Sequence, residues 1–340
     1  MALSNRRQKK KVAVLISIII VNYNGMRWID DCFRSIFAQK IKKLEIIFID
    51  NHSIDGSTQM VEKKYPSVLV IKNKTNLGFG KANNTGAKKA SGKILLFLNT
   101  DTKLHPHCLS EILHQMLTKN IDLAGPKLLD FAGHDLNRGR KLTLDIVGSL
   151  AWGKKTTMVE GCCLAIKKTV FNRLGGFDNK FFMYSEDLDL CWRAWLLGYK
   201  IKITNSAVIN HFGGGSSLPT IIGSQRHLVP AFRRFETEKN TIRMMLKNAS
   251  ISHLLLSLPI MITLIGGESF LYLITGQITS STFVFKAIGW NVRNIKDTLN
   301  QRKIIQKNKK RSNIWPLLAK KISKFTVFML IGIPKIKHYA

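Results

Sequence analysis

Short polar sequences follow three apolar runs in the first third of the chain. The first run ends in Asn22-Tyr23-Asn24, the second in Asp50-Asn51 and the third in Asn99-Thr100-Asp101. Carboxylate and amide groups hydrogen-bond a nucleoside, and aspartate is a usual ligand of hard divalent cations. Asp50 is therefore a candidate for binding a ribose or a base, and Asp101 for binding Mg2+ or Mn2+ beside a diphosphate. Each sequence taken alone also fits an ordinary turn or a helix cap.

A glycine-containing stretch, residues 76–86, opens a predicted helix. Gly78 lets the backbone amides approach a phosphate or a flat base closely, and Asn76 and Asn83 carry amide groups on either side of it. The same residues also fit a flexible helix start without a ligand. The stretch therefore supports nucleotide binding only together with the strand ends.

Three acidic residues open a helix in the second half of the chain: Glu186, Asp187 and Asp189. The helix macrodipole favours carboxylates in a first turn, so they require no catalytic role. The preceding Phe181-Phe182-Met183-Tyr184 is apolar and aromatic, and burial against such residues raises the pKa of a carboxyl group. Glu186 and Asp187 are thus candidates for a general base, whereas Asp189 is expected to be structural.

His211 precedes a run of glycines at 213–215. A lone histidine is usually a hydrogen-bonded structural residue. Here the glycines can fold over a ligand, and a neutral imidazole can bind a metal. The other histidines lack metal-ligand spacing, so zinc is not expected.

Five apolar runs rich in β-branched residues precede residue 126, namely 14–21, 44–50, 68–71, 94–98 and 123–125. Helical spacing between most of them predicts an α/β fold with a mostly parallel sheet and helices on both faces. In such sheets ligands bind at the carboxyl ends of the strands, where the polar sequences lie. Asn-Tyr-Asn-Gly follows the first strand in place of GxGxxG, which argues against a Rossmann dehydrogenase.

The chain is strongly basic, since 53 Lys and Arg against 21 Asp and Glu give a formal charge of +32. Such a charge attracts nucleic acid, anionic lipid or phosphorylated substrates. The basic residues crowd the two ends and do not alternate with aromatic residues, so a nucleic-acid-binding protein is the weaker alternative. The five cysteines form no CxxC pair, which predicts buried thiols in a cytosolic protein. No cleavage site follows the run 12–21, which we interpret as a strand and not as a signal peptide.

Apolar and basic residues alternate in the last third of the chain. The stretch 254–264 is strongly apolar, Gly266-Gly267-Glu268 interrupts it, and 270–274 resumes it. A spanning helix needs about 20 mostly apolar residues, a length reached here only by including Pro259, the glycines and the carboxylate. A second apolar stretch, 325–333, is short and flanked by lysines. The pattern predicts helices lying in the interface of an anionic membrane, and a solvated basic tail is the alternative.

Taken in order, these sequences resemble the inverting family 2 glycosyltransferases of the GT-A fold, especially the bacterial rhamnosyltransferase-like branch. The resemblance covers roughly residues 14 to 245. Any one of these strings is weak evidence for the family, but the whole set in this order is specific for it. The matching strings are Ser17-Ile18-Ile19-Ile20-Val21-Asn22-Tyr23-Asn24, Ile49-Asp50-Asn51 with Asp55-Gly56-Ser57, residues 76–86, Leu98-Asn99-Thr100-Asp101, residues 161–166, residues 176–190 and residues 211–216.

The resemblance implies a role for each candidate residue. Asp101 is the metal-binding carboxylate of a DxD motif in which Asn99 replaces the first aspartate, and His211 is a further ligand of Mg2+ or Mn2+. Asp187 is the base that deprotonates the acceptor, with Glu186 beside it. The implied nucleotide-binding residues are Asn22, Tyr23, Asn24, Asp50, Asn76, Gly78, Asn83 and Asn99.

The implied reaction is an inverting transfer of a sugar, with rhamnose as the family-level candidate, from a nucleotide-diphosphate sugar to a lipid-linked or polysaccharide glycan. The alternatives are a polyprenyl-phosphate sugar synthase and an inactive relative. The acceptor, a polyprenyl-diphosphate-linked or free glycan, is expected at the cytoplasmic face of the plasma membrane. The predicted regions are a basic tail (1–13), a nucleotide-sugar-binding subdomain (14–125), an acceptor-binding and catalytic subdomain (126–249) and a membrane-associated helical region (250–340).

Overall fold

The computed structural model describes residues 15–137, 139–213, 231–276, 278–311 and 318–323. A large eight-stranded sheet has the spatial order β3-β2-β1-β4-β9-β6-β10-β5, and β7 and β8 form a separate hairpin. In chain order the strands are β1 (Ile16–Asn22), β2 (Leu44–Asp50), β3 (Leu69–Lys72), β4 (Ile94–Asn99), β5 (Thr102–Leu104), β6 (Leu123–Leu129), β7 (Lys141–Leu144), β8 (Leu150–Gly153), β9 (Cys163–Lys167) and β10 (Ile201–His211).

β1 lies inside the sheet and pairs in parallel with β2 and β4. Its isoleucines at 16, 18, 19 and 20 are all fully buried. A strand covered on both faces is expected to be continuously apolar, which is why this run contains no polar alternation. The five apolar runs predicted from the sequence correspond to β1, β2, β3, β4 and β6, which confirms the α/β fold class.

The second half of the sheet is mixed. β9 runs antiparallel to both β4 and β6, and β5 runs antiparallel to β10, whereas β6 and β10 are parallel. The predicted parallel arrangement therefore holds throughout β3-β2-β1-β4, but not in the other half of the sheet. The predicted boundary between residues 125 and 126 falls inside β6, whose pairing with β10 continues to Leu129. The two predicted subdomains consequently share one sheet.

Helices cover both faces of the large sheet. Phe33 and other apolar side chains of the first, second and fourth helices lie in one core, whereas Trp192 and others of the third, fifth and sixth lie in a second core. All five cysteines are buried free thiols, as predicted. These helices are α1 (Met26–Phe37), α2 (Ser57–Lys64), α3 (Phe79–Lys89), α4 (Cys108–Thr118), α5 (Lys168–Arg173) and α6 (Glu186–Leu196).

Four further helices follow, namely α7 (Ala231–Asn248), α8 (Ile251–Ile274), α9 (Ile278–Arg293) and α10 (Ile295–Asn308). α8 is a continuous helix of 24 residues that includes Pro259, so it is about 36 Å long. By length and composition alone, it is the one helix among the described residues that could cross a membrane. Only 17% of its most apolar part is buried in the protein. The second apolar stretch, 325–333, lies outside the described residues.

Gly266-Gly267-Glu268 interrupts the apolar sequence but not the helix, which runs from Ile251 to Ile274. The Glu268 carboxylate forms an ion pair with Arg234 of α7 and accepts a hydrogen bond from the Tyr272 hydroxyl at 2.8 Å. Its charge is therefore compensated within the protein. The helix can continue through this position because glycine only weakens a helix, by about 1 kcal/mol per residue, without ending it.

Buried ion pairs join α6, α7 and α10. Asp189 of α6 is fully buried and lies 3.0 Å from the Lys247 ammonium of α7. Lys247 also pairs with Asp178, which Arg243 contacts at 2.9 Å. Arg243 reaches Asp297 of α10 at 2.6 Å. Since Lys247 and Arg243 are almost wholly removed from water, each depends on its carboxylate partners. Asp189 is thus structural, as the sequence predicts.

Replacing Lys247 by methionine removes the ammonium group between Asp178 and Asp189 and keeps an unbranched side chain. We expect the free energy of unfolding to fall by about 3–5 kcal/mol, because the variant leaves buried negative charge uncompensated. Urea denaturation at neutral pH measures this loss. Lys307→Met, at an exposed position of α10, is the matched control, and equal losses in the two variants would contradict the prediction.

The difference in the free energy of unfolding between wild type and Lys247→Met depends on pH. Burial alone would raise the pKa of Asp178, but Lys247 and Arg243 hold it below its ordinary value of 3.8. A carboxyl group with a depressed pKa stabilises the folded state above its unfolded pKa, and this contribution is lost as the pH falls through the folded pKa. The difference between wild type and Lys247→Met should therefore shrink below pH 3.8.

Candidate active site

The three polar strand ends lie side by side. In the register of the sheet Asn22 at the end of β1 pairs with Asp50 at the end of β2. On the other side of β1, Val21 pairs with Asn99 at the end of β4. Parallel strands put all their carboxyl ends at one edge, and the sequence-based expectation of neighbouring polar ends agrees with this geometry.

Asn22 and Asn24 hold the loop that follows β2. Asn22 is fully buried and donates to the Ser53 and Ser57 hydroxyl oxygens at 3.0 and 2.8 Å. The Asn24 side-chain oxygen accepts the Ile54 N–H at 2.9 Å. Between them the Tyr23 ring is 42% exposed. Of these three predicted nucleotide-binding residues, Tyr23 is the one whose side chain is available to a ligand, while Asn22 and Asn24 shape the loop.

Asn51 is the hydrogen-bonding centre of the next loop. Its side-chain nitrogen donates to the Asn76 oxygen at 2.6 Å, and its oxygen accepts from Asn73 at 3.0 Å and from the Leu77 N–H at 2.9 Å. The Asp50 carboxylate, 6% exposed, accepts the Ser53 N–H at 3.0 Å. Asn51 was not among the predicted site residues, although its position after Asp50 at a strand end was the available signal.

Gly78 brings the predicted glycine stretch against the segment that precedes α6. Its φ of +77° is a conformation that favours glycine, and a Cβ there would lie 2.2 Å from the Phe182 carbonyl oxygen. The neighbouring Phe79 N–H donates to the same oxygen at 2.7 Å. Asn83 is buried, and its side-chain nitrogen donates to the Phe79 carbonyl at 3.0 Å. Gly78 therefore connects the donor side of the sheet to the acidic helix, whereas Asn83 hydrogen-bonds within its own helix.

Asp101 and His211 meet at the strand ends of β4 and β10. The His211 Nε2 atom lies 3.5 Å from the Asp101 Oδ1 atom. Nε2 is buried and makes no hydrogen bond with any described residue. Burial opposes the charged imidazole, but Cys162 and Asp101 outweigh it and raise the pKa of His211 to about 11. Asn99 is half-buried beside them, and its N–H donates to the Cys162 carbonyl at 2.9 Å.

These two side chains can hold a divalent cation only together with ligand oxygens. No group of three or more His, Cys, Asp or Glu among the described residues is arranged to hold a metal. Mg2+ and related ions are commonly bound by one or two protein groups plus phosphate oxygens and water. An imidazole beside a carboxylate fits that pattern once the metal displaces the imidazole proton, so the residues present are compatible with a metal-bound diphosphate.

The acidic first turn of α6 is held in a defined place. Tyr184 and Ser185 have φ values of +72° and +64°, and this left-handed pair sets the direction in which α6 begins. Asp187 accepts the Gly161 N–H at 2.7 Å and is half-buried. Glu186 is 7% exposed, and its Oε2 atom has no hydrogen-bond partner among the described residues.

Burial raises the pKa of both carboxyl groups. For Glu186 the neighbouring charge of Asp187 raises the pKa further, well above its ordinary value. For Asp187 the Gly161 and Leu188 amides partly counteract the effect of burial. A buried carboxyl pair of this kind shares protons, and the more buried Glu186 is the natural site of the proton. Asp187 is then the better base.

Glu160 is a site residue that was not predicted. It accepts a hydrogen bond from the Asn137 side chain at 3.0 Å. Burial raises its pKa, the Asp187 charge raises it further, and His211 lowers it, so Glu160 lies between the two groups. The only available signal was its position before Gly161, the first residue of a matching string.

The sheet and its flanking helices have the GT-A fold of glycosyltransferases. Strand ends suited to a nucleoside, a carboxylate–imidazole pair and a buried acidic turn all face one edge of the sheet. Residues 17–175 match glycosyl transferase family 2, and residues 150–213 match the N-terminal domain of galactosyltransferase. Residues 17–175 therefore form a glycosyl transferase family 2 domain.

Relatives of known and unknown activity share this region. An uncharacterized glycosyltransferase of Rickettsia prowazekii is 31% identical over 53% of this chain and 58% of its own length. The N-acetylglucosaminyl-diphospho-decaprenol L-rhamnosyltransferase of Mycobacterium tuberculosis is 23% identical, over 58% of this chain and 76% of its own. The chain thus spans little more than half the length of the first relative. Its fold is similar to that of GalNAc-T7, solved with UDP, GalNAc and Mn2+, with a TM-score of 0.57, 17% identity, and coverage of 69% of this chain and 48% of that one.

Substitution of Gly78 tests the contact between the glycine stretch and the acidic helix. Gly78→Ala combines a left-handed backbone with a clash against the Phe182 carbonyl, so it should lower the free energy of unfolding by more than the backbone cost alone, about 1–2 kcal/mol. Gly133→Ala is the matched control, because Gly133 has a φ of +88° and nothing within 4 Å of the added methyl group. Urea denaturation of both variants isolates the contact. Equal losses would show that the close approach is dispensable.

Proposed function

We propose that the chain transfers a sugar from a nucleotide-diphosphate sugar to a glycan acceptor by an inverting single displacement. The observation that supports this most strongly is the position of Asp187. Its carboxylate is fixed by the Gly161 amide at 2.7 Å, and Glu160 interacts with both Asp187 and the His211 side of the site. A general base and a place for a charged leaving group therefore belong to one site.

We assign the nucleoside to the ends of β1 and β2. The exposed Tyr23 ring offers a surface for a flat base, and the Asp50 carboxylate offers an acceptor for ribose hydroxyls. Asn22, Asn24, Asn76, Gly78 and Asn83 act mainly by shaping the surrounding loops, and Asn99 completes the edge next to Asp101.

We assign the diphosphate to Asp101 and His211. The pair provides one carboxylate and one imidazole, and the remaining ligands of Mg2+ or Mn2+ come from the diphosphate and water. When bound, the ion neutralises the negative charge that develops on the leaving diphosphate. GalNAc-T7 was solved with UDP and Mn2+, which supports the same choice of ligands here.

The chemical step falls to Asp187. Its carboxylate accepts the proton of the acceptor hydroxyl while the hydroxyl oxygen attacks the anomeric carbon opposite the diphosphate. The bond from that carbon to the diphosphate breaks, and the configuration inverts. The raised pKa makes Asp187 a stronger base, and the Gly161 and Leu188 amides orient it. Glu186 keeps its proton and limits negative charge beside the base.

We place the acceptor at a membrane, on the cytoplasmic face, where nucleotide sugars and free thiols occur. α8 exposes large apolar side chains, among them Leu255, Ile262 and Phe270. The lipid-linked substrate in the name of the mycobacterial relative supports a polyprenyl-diphosphate-linked acceptor, and rhamnose is the corresponding donor sugar. Whether α8 spans the bilayer or lies in its interface does not alter the chemistry.

Nucleotide binding tests the donor site directly. Calorimetric titration of the full chain with UDP and with dTDP should show binding of one of them that Mn2+ strengthens, because the ion links the diphosphate to Asp101 and His211. Asp101→Ala should remove most of that metal dependence, whereas Asp31→Ala, at an exposed position of α1, should leave it unchanged. The proposal fails if neither nucleotide binds under any metal condition.

Asp187→Asn tests the base, because the amide keeps the shape and can still accept the Gly161 N–H but cannot take a proton. Turnover, measured as nucleotide release with a total lipid extract as acceptor source, should fall about 10²–10⁴-fold while nucleotide affinity stays the same. In the wild type, turnover should decline as the pH falls through a pKa above the ordinary 3.8. A variant that keeps wild-type turnover would remove Asp187 from the mechanism.

A further inference from the structure

A groove with a volume of about 570 Å³ lies between α7 and α9. Its walls are the rings of Phe235, Phe285 and Trp290 together with Gly289, and Thr282, Lys286 and Arg293 complete the lining. The site assigned to the donor and the acceptor hydroxyl uses none of these residues. An apolar groove with two cations is suited to an amphipathic ligand that carries negative charge.

The groove is continuous with the apolar surface of the helical region. Phe285 is 59% exposed, and Ile288 and Val292 are exposed on the same helix. α9 packs against α8, whose outward side chains include Phe270, 61% exposed. A surface of this kind is stable when it faces hydrocarbon, and exposed apolar patches of this extent mark interaction sites.

A series of interactions connects the groove with the acidic turn of the active site. The buried Glu236 is close enough for its negative charge to raise the pKa of Glu186. Glu236 pairs with the Lys239 ammonium at 2.6 Å, and that ammonium lies 5.0 Å from the centre of the Trp290 ring. The groove and the catalytic carboxylates are therefore linked through the Glu236–Lys239 pair of α7.

The opposite side of α7 packs on the segment just before α6. Asn240 donates to the Met183 and Tyr184 carbonyl oxygens at 2.9 and 2.8 Å. Near the start of α7 the Phe232 ring contacts Phe182, with centroids 5.6 Å apart, and remains 48% exposed. α7 therefore contacts both the groove and the segment that leads into the acidic turn.

We propose that this groove binds the hydrocarbon chain of the lipid-linked acceptor, with the lipid phosphate on Lys286 and Arg293. The inference rests on the proposed function and adds the element that recognises the lipid. In this arrangement the diphosphate and the sugar of the acceptor extend from the groove towards Asp187. The cations lie seven residues apart, two turns on one side of α9, so both face the same groove.

The charge of the lining distinguishes this occupant from a second copy of the chain. Both charged residues that line the groove are cationic, and the protein as a whole carries a formal charge of +32. Two copies of the chain would therefore repel each other at this surface. A single hydrocarbon chain also fits the volume, which holds roughly 20 groups of the size of a water molecule.

The test is calorimetric titration of the full chain with farnesyl phosphate and, separately, with inorganic phosphate. Nothing lies within 4 Å of the missing Cβ of Gly289, so Gly289→Trp fills the groove without a backbone clash. We expect this variant to bind farnesyl phosphate at least 10-fold more weakly than wild type, a change of about 1.4 kcal/mol. Gly289→Ala should bind as wild type does, because a methyl group leaves most of the groove open.

The charge is tested separately. Lys286→Glu combined with Arg293→Glu should weaken farnesyl phosphate binding at least 10-fold, whereas Lys303→Glu with Lys307→Glu, at exposed positions of α10, should have little effect. If farnesyl phosphate binds Gly289→Trp as tightly as wild type, or no more tightly than inorganic phosphate binds wild type, the hydrocarbon does not occupy the groove and the inference is overturned.

Two measurements keep the outcomes distinct. Affinity for the nucleotide should be the same in wild type, Gly289→Trp and Gly289→Ala, which shows that the variants are folded. Thr282→Trp fills the other part of the lining and replaces Gly289→Trp if that variant does not fold. Loss of nucleotide binding in the wild type would end the proposed transferase function. Normal nucleotide binding with unselective lipid binding would end the groove proposal alone.

Discussion

The ammonium group of Lys247 lies between two buried carboxylates, and the placement of the catalytic helix depends on it. Asp189 belongs to α6, Asp178 to the segment before that helix, and Lys247 to α7. Asn248 adds a hydrogen bond to Asp189 at 2.9 Å. A charge buried in this way is stable only while its partners stay in contact, so α6 and α7 are fixed relative to each other. The first turn of α6 is fixed a second time by the Gly161 amide on Asp187.

These two attachments of α6 hold together carboxyl groups that repel one another. Glu186, Asp187 and Glu160 repel one another, and burial raises the pKa of all three. His211 and Asp101 lie next to each other in the other part of the site. The site is thus divided into a side suited to the charged diphosphate and a side suited to proton removal. The free energy that keeps the acidic groups close comes from the surrounding core and the ion pairs, not from the groups themselves.

The α/β fold and the adjacency of the three strand ends could be predicted, because continuous β-branched runs and polar endings are local features of the sequence. Asn22, Asn51 and Asn83 show where such reasoning stops. Their side chains fit nucleotide binding as well as loop support, and only the tertiary contacts show that they hydrogen-bond neighbouring protein groups. Glu160 and the antiparallel position of β9 depend on residues distant in sequence, which periodicity does not report.

The ion pair between Glu268 and Arg234 has a consequence for the order of events in assembly. A bare carboxylate in the middle of an apolar helix costs about 3 kcal/mol in hydrocarbon, as measured for aspartate at a helix centre. α8 with an unpaired Glu268 would therefore enter lipid poorly, and it gains its partner only after α7 has formed beside it. If α8 enters a bilayer, as we propose, its pairing with α7 must come first.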